Sequence, residues 1–451
     1  MSDAIAPPPA GDLLGLVEAS LRRRNARETI FRRAGFAAML VSMSLVVVLF
    51  TSILSKGLPA FWQATFELDV HFDPELIQLG PKPTPEPGEV PAAFQKRLQA
   101  WQTDLGFVDF GQVLLQSIAK VVPDAAEHPD DAAQLVTSGE LFGLRDLVFE
   151  NPGIVGQTVR LKLLADANVD VWLKGNIDRS LPDEQQQLSA RTRQWADQLY
   201  ASGVIKNSFS TSIFMNADSR SSLASAGLAG AIVGSLLMMV LVILLSVPAG
   251  VAAAVYLEEF APKNRITDLI EVNINNLAAV PSIIFGLFGA AVFILYFKLP
   301  ISSPLVGGLV LSLMTLPTVI IATRASLKAI PPSIREAALG IGASKLQAIT
   351  DHVLPLALPG ILTAMILGVA QALGETGPLL LIGMSAFVAS VPGSMLDQST
   401  ALPVQIYLWE ANELRNFFEG RGSAAIIVLL AIMLGLNAVA IWLRKRFETR
   451  W

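Results

Sequence analysis

The sequence predicts an all-α polytopic membrane protein of six transmembrane helices, with a small α+β domain inserted after the first of them. Three observations carry this. The 451 residues are 52% hydrophobic and 16% charged, with a mean hydropathy of +0.53, far more apolar than a soluble chain of this size needs to be. Six runs reach the length of about 20 mostly apolar residues that crosses a hydrocarbon core of about 30 Å. Between the first and second runs lies a long polar stretch of different composition.

The elements follow in chain order. Residues 1–33 end in "LRRRNARETIFRR", a basic flank that predicts a cytoplasmic N-terminal segment. The first span occupies 34–55, with its apolar core at Ala34 to Leu54. Its basic flank and apolar run are too long for a cleaved signal peptide, and no small-residue cleavage site follows, so an anchor is expected. Residues 56–225 form the insertion, and residues 226–446 hold five further spans. These run from about Leu228 through Tyr256 with a kink at Pro248, then about Leu277 to Phe297, Leu305 to Thr323, Leu358 to Ile382 and Ala424 to Leu443. The tail, 447–451, continues the basic "RKRFETR". Basic residues at both ends and an even number of crossings put both termini in the cytoplasm and the insertion outside.

The insertion opens with "GPKPTPEPGEVP", which favours extended polyproline geometry. Beyond it "FGQVLLQSIAKVV" suits an amphipathic helix, and "VGQTVRLKLLA", "VDVWLKG" and "VIKNSFSTSIFM" are expected as strands. "DEQQQLSARTRQWADQLYASG" is expected as a helix stopped by Gly203. Its carboxylates are scattered as on a solvated surface, which favours a structural or docking role over ligand binding.

Composition excludes several chemistries. There are no cysteines, and the three histidines, His71, His128 and His352, are scattered, so no metal or cofactor is expected. A pI near 5.4 gives no basis for nucleic-acid binding.

The most specific stretch is "SIREAALGIGASKLQAITDHVLP", Ser333 to Pro355. It is not a phosphate loop, because Lys345 stands three places after Gly342 and a membrane span precedes it. It reads as two short helices within 332–351. Ser333 with Glu336, and Ser344 with Gln347, have capping-box spacing. Small Ala337 and Ala338 let another backbone come close, so this is either a capped loop helix or a docking knob.

Glu336-Ala337-Ala338, Gly342 six places after the glutamate, and Leu354-Pro355 resemble the EAA loop of ABC-transporter permeases, which sits in a groove of the ATP-binding subunit. His352 departs from the usual isoleucine or valine at a packing position. "VYLEEFAPKNRITDLIEVNINNLAAVPSIIFGLFG", "LGETGPLLLIG" and "ALPVQIYLW" resemble the phosphate transport system permeases of the PstA type. The likeness covers roughly Leu228 to Arg446 together with the first span; the insertion resembles one carried by longer members. It implies a type I ABC importer permease fold in a bacterial inner membrane, importing inorganic phosphate by alternating access. It also implies a heterodimer with a second homologous permease subunit, two ATP-binding cassette subunits and a periplasmic phosphate-binding protein. Glu336, Ala337, Ala338 and Gly342 would couple to the ATPase. ATP hydrolysis would belong to the partners, since no nucleotide-binding motif occurs here.

Ionisable side chains inside spans are expensive and mark function or pairing. Arg324, near the inner end of the fourth span, reads as a snorkelling boundary residue or, as the resemblance implies for a segment that lines the family's pathway, as a candidate phosphate contact. Glu375, roughly 25 Å along its helix from Leu358, shares a face with Gln371, one turn before it, and lipid would be a poor neighbour for both; the resemblance implies that this segment lines the substrate pathway, with Glu375 a candidate gate or partner. Asn273, Asn275 and Asn276 would cap the third span or face the pathway. Gly286 and Gly289 suggest close helix contacts, and Glu258 and Glu259 read as solvated loop charge. Two other readings stay open: a permease for another oxyanion such as molybdate or sulfate, and a phosphate-responsive membrane sensor, against which no cytoplasmic segment is long enough for an output domain.

Overall fold

The computed structural model describes residues 10–447; residues 1–9 and 448–451 of the expected cytoplasmic segments lie outside the described residues. Helix α1 runs over Ala10–Gly57, because no proline interrupts it before Pro59. The basic flank and the first span are therefore one continuous helix. Its apolar run is exposed from Phe36 to Leu54 apart from the half-buried Ile53. Residues 1–55 and 56–451 form two compact units.

In the second unit, β1 (Trp62–His71) is the centre of a three-stranded antiparallel sheet of order β2–β1–β3. Helices α2 (Pro91–Phe107), α3 (Phe110–Ala119), α4 (Pro129–Ala133) and α5 (Ser138–Glu150) precede β2 (Thr158–Leu164). Then come α6 (Ala167–Leu173), α7 (Ala190–Ala201), β3 (Ile205–Phe209) and the single turn α8 (Ser212–Met215). Phe66 lies opposite Leu163 on one side and Ile205 on the other. With Ala64, Leu68 and Val70 it forms the buried face of β1, on which Val113, Leu144, Val148, Trp195 and Leu199 complete the core.

The insertion is thus α+β as expected, with four differences. The central strand β1 was not foreseen; it carries Glu67 and Asp69 among its apolar residues. "VDVWLKG" is helix rather than strand: the Asp166 carboxylate caps it by accepting the Asn168 amide, and Asp170 meets Lys174 one turn on at 2.6 Å. The Arg193-Trp195 helix begins only at Ala190, capped by Ser189, and Gly203 stops the chain's helical course at φ +77. "VIKNSFSTSIFM" is strand only to Phe209.

Burial pushes the Glu140 and Asp166 carboxyls up, against the amides of Leu164 and of Asn168 and Ala167 that hydrogen-bond them. Each binds a proton more readily folded than unfolded. Its contribution to stability is therefore fully present below about pH 4 and is lost as pH rises through the raised value.

The bundle comprises α9 (Ala229–Val255), α10 (Arg265–Ala278), α11 (Ser282–Gly289), α12 (Pro304–Lys328), α13 (Pro332–Gly340) and α14 (Lys345–Gln347). It continues with α15 (Leu354–Gly374), α16 (Gly377–Leu379), α17 (Leu402–Glu410) and α18 (Arg415–Phe447). Among the described residues five helices are long and apolar enough to cross a membrane, and α10 with α11, bent by 98°, makes a sixth if counted as one span. The helix expected to start the third span near Leu277 begins instead at Ser282, because Pro281 breaks the helical course. Asn264 caps α10, and Asn273 donates back to the Leu269 carbonyl, so the asparagines do not cap α11.

Small residues let α12 sit tightly between its neighbours. A Cβ at Gly250 of α9 would lie 2.7 Å from Val319, and one at Gly360 of α15 would lie 2.3 Å from Ser326. Where the insertion meets the bundle, Ala167, Val171, Ile213, Leu228, Leu402, Trp409 and Phe418 share one buried cluster. Arg421 of α18 is 1% exposed there and donates to the carbonyls of Ala224 and Ala226. Gln63 of β1 donates to the same Ala224 carbonyl, so the chain entering α9 is tied to both β1 and α18.

Candidate functional site

Two clusters stand out, one at each end of α15. The first is built where α12 ends. Pro331 and Pro332 set the backbone for α13, whose N-cap is Pro331 and carries no side-chain cap. The expected capping box of Ser333 with Glu336 is therefore absent: Ser333 already lies inside the helix that the prolines start. The second box is present, with Ser344 and Gln347 exchanging hydrogen bonds of 2.9 and 3.2 Å. Between them Gly342 takes φ +91, a left-handed turn that favours glycine.

Arg335, on α13, donates to Glu259 at 2.6 and 3.0 Å, to the Leu327 carbonyl at 2.9 Å and to the Ile330 carbonyl at 2.8 Å. Glu259 stands in the turn after α9, its side chain 8% exposed. One turn of α12 away, Arg324 meets Glu271 of α10 at 2.6 Å and Glu258 at 3.4 Å, and Lys328 meets Glu258 at 3.6 Å. Glu258 and Glu259 are thus paired, not solvated loop charge. The reason is tertiary: the end of α9 folds back onto the end of α12, where cations wait. Arg335 was not singled out from the sequence; the signal was the pairing of a Glu-Glu loop with an arginine beside the EAA residues.

The hub fixes which side of α13 is free. Ala338 faces inward and is buried, while Glu336, Ala337 and Leu339 are exposed, as are Ile341 at 82% and Leu346 beyond it. Glu336 has no ion pair or hydrogen bond among the described residues.

The second cluster lies where α15 ends. Glu375 is not within a continuous span: it is the extended residue that follows Gly374, half-buried, with α16 beginning two residues later. Gly374 and Gly377 flank the break. Gln371, one turn back, is exposed. Among the described residues neither Glu375 nor Gln371 has a hydrogen-bond or ion-pair partner for its side chain. The broken segment is held by Pro378, packed so closely on Gly286 of α11 that an added Cβ would lie 2.6 Å from the proline Cα. Gly289 likewise meets Val310, so both glycines serve contacts within this chain.

Arg324 and Glu375 are far apart. Ser326 lies beside Gly360 and Val319 beside Gly368, so α12 and α15 run antiparallel. From Gly360 to Glu375 the rise along α15 is about 22 Å. The structure brings Gln371 and Glu375 to one end of the bundle, and Glu336, Ala337, Ala338, Gly342 and Arg324 to the other.

In the insertion Asp124, Glu127 and His128 come within 4.8 Å of one another at the surface, a cluster with no second feature pointing to an ion.

A family model described as binding-protein-dependent transport system inner membrane component matches residues 246–451. Another, described as domain of unknown function DUF3333, matches residues 18–183, which take in α1 and most of the insertion. The phosphate transport system permease protein PstA of Haemophilus influenzae is 34% identical over 47% of this chain and 73% of its own length. That of Yersinia pestis is 31% identical over 48% of this chain and 72% of its own length. The probable ABC transporter permease protein YqgI of Bacillus subtilis is 26% identical over 51% of this chain and 82% of its own length. Among solved structures the chain is similar to the MetNI methionine ABC transporter in an inward-facing conformation, at 14% identity and a TM-score of 0.37, over 49% of this chain and 95% of that one.

Proposed function

The chain belongs to the PstA-type family of ABC-transporter inner-membrane permeases, and on that premise we propose that it forms half of the pathway of an ATP-driven importer of inorganic phosphate. The observation that carries the mechanical part is α13: Glu336, Ala337 and Leu339 stand exposed on it, while Arg335 ties it to Glu259 after α9 and to the carbonyls of Leu327 and Ile330 at the end of α12, where Arg324 in turn holds Glu271 of α10 and Glu258. A push on such an element moves the spans with it rather than bending a loop. In this reading both termini and α13 are cytoplasmic, and a cassette ATPase grips Glu336, Ala337, Leu339 and Ile341. A second permease completes the pathway, two ATPase subunits drive it, and a binding protein delivers phosphate on the side of the insertion. The chain itself supplies pathway and lever.

The pathway-lining role falls to Glu375 and Gln371, whose side-chain polar groups have no partner among the described residues, with Glu375 as a gate or charge partner. Arg324 is neutralised by two carboxylates, so as an anion contact it would first have to leave them. Its place in the hub supports a role in transmission.

The substrate assignment is tested by uptake of labelled phosphate into cells or proteoliposomes holding the whole transporter. Excess sulfate or molybdate is expected to leave uptake unchanged; either anion blocking as well as unlabelled phosphate does would reject phosphate as the substrate. Replacing Glu375 by glutamine keeps shape and removes charge. Uptake is expected to fall at least about tenfold, equivalent to about 1.4 kcal/mol, with the assembled complex recovered in normal amount. Unchanged uptake would remove the carboxylate from the pathway.

A further inference from the structure

We propose that the insertion stands on the membrane through an aromatic foot made by Phe61, Trp62, Phe209 and Phe214, and that its partner is the lipid headgroup region of the leaflet on the insertion's side. The rings form one connected group. Phe61 stacks on Phe214 with centroids 5.6 Å apart, and Phe209 lies 6.2 Å from Phe214. Trp62 and Phe209 are cross-strand neighbours on β1 and β3, and their rings meet edge to face at 5.7 Å. Only Phe61 is buried; Trp62, Phe209 and Phe214 are exposed, and Met215 beside them is 75% exposed. A soluble surface has no reason to gather so many large apolar groups in one place.

Position says what covers them. The α8 turn that carries Phe214 and Met215 caps the first turn of the α9 span: the Ile213 carbonyl accepts the Leu228 amide at 2.7 Å, and the Asn216 carbonyl accepts the Ala229 amide at 3.0 Å. The 27 residues of α9 make a helix about 40 Å long, against a hydrocarbon core of about 30 Å and about 40–45 Å with the polar regions. The end of α9 therefore lies among headgroups, and so does the turn fastened to it. In the sequence, Phe61 and Trp62 also follow the apolar run ending at Leu54 by only a few residues. Aromatic rings are the side chains that settle at this depth, one part in apolar surroundings and the rest wet. The patch is carried by a turn fastened to the end of an apolar helix of membrane-spanning length, which selects lipid over a soluble partner. The inference needs only that α9 spans the bilayer and does not depend on the transported ion.

The native chain has no cysteine, so one engineered thiol reads the site cleanly. Met215→Cys carries an environment-sensitive fluorophore in the assembled transporter, reconstituted in phosphatidylcholine nanodiscs. Phe107→Cys, at the exposed end of α2, serves as the aqueous reference. Brominated lipid is expected to quench the label at 215 and not at 107, and aqueous iodide the reverse. Iodide quenching at 215 equal to that at 107, or protection at 215 from both quenchers because a protein surface covers it, would overturn the proposal. Trp62→Ser with Phe209→Ser is expected to move the 215 label into the reach of iodide. A label that stays in lipid would show that the aromatics do not hold the contact.

Discussion

Arg335→Met is expected to abolish transport while the spans still insert. The guanidinium satisfies a nearly buried carboxylate and two carbonyls at the end of α12 at once. Removing it leaves Glu259 unpaired at 8% exposure, a loss of about 3–5 kcal/mol for a buried pair broken on one side. Short α13 has little else to hold it to the bundle beyond Ala338 and its neighbours, so the hub's loss frees the lever. Uptake by the reconstituted transporter should fall more than about tenfold, which about 1.4 kcal/mol of coupling already accounts for. Arg335→Lys should recover only part, since an ammonium cannot reproduce the planar fork that serves Glu259 and two carbonyls together. Glu336→Lys separates lever from fold: that side chain is exposed and has no hydrogen bond or ion pair among the described residues, so thermal stability should be unchanged while uptake is lost. Full uptake by the Arg335→Met transporter would show that force does not pass through this hub.

Gly286→Val is expected to give the second large loss, by sterics. The new Cβ would lie 2.6 Å from both the Cα and the carbonyl oxygen of Pro378. Those are backbone atoms and cannot turn aside. Either α11 moves out or the break after Glu375 shifts. Overpacking of this kind costs about 1–3 kcal/mol for added methylenes that find side chains to displace, and more where backbone must yield. The expected result is a lower unfolding temperature of the purified complex and loss of uptake. Gly374→Ala is the contrast, because nothing lies within 4 Å of its added Cβ; it should assemble and unfold like the parent. Equal behaviour of the two variants would mean that the Gly286 contact does not hold the break.

The membrane class, the apolar spans and the two short helices within 332–351 were legible because they depend on local quantities. Apolar runs of bilayer length need no partner to be recognised, and Ser344 with Gln347 closes its box within a single turn. The misses have a common cause. "VDVWLKG" alternates well enough for a strand, and only the Asp166 cap and the Asp170 to Lys174 spacing make it helix. The strand β1 is specified mainly by what lies across from it, Leu163 and Ile205. Ser333 has a capping spacing that Pro331 and Pro332 made unnecessary.

By itself the sequence determined which segments are apolar enough to live in lipid, where a polar stretch interrupts them, and where a pair of short helices follows the fourth span. Each follows from transfer free energy or from hydrogen bonds between near neighbours in the chain. Tertiary structure alone decided that Glu258 and Glu259 are held by Arg324 and Arg335, that Glu375 stands at a break instead of inside a helix, and that the rings of Phe61, just before β1, and of Trp62, Phe209 and Phe214 gather into one group. Those facts depend on which distant residues become neighbours, and the cost of leaving a buried charge or a large apolar surface unmatched is set only once the chain has folded.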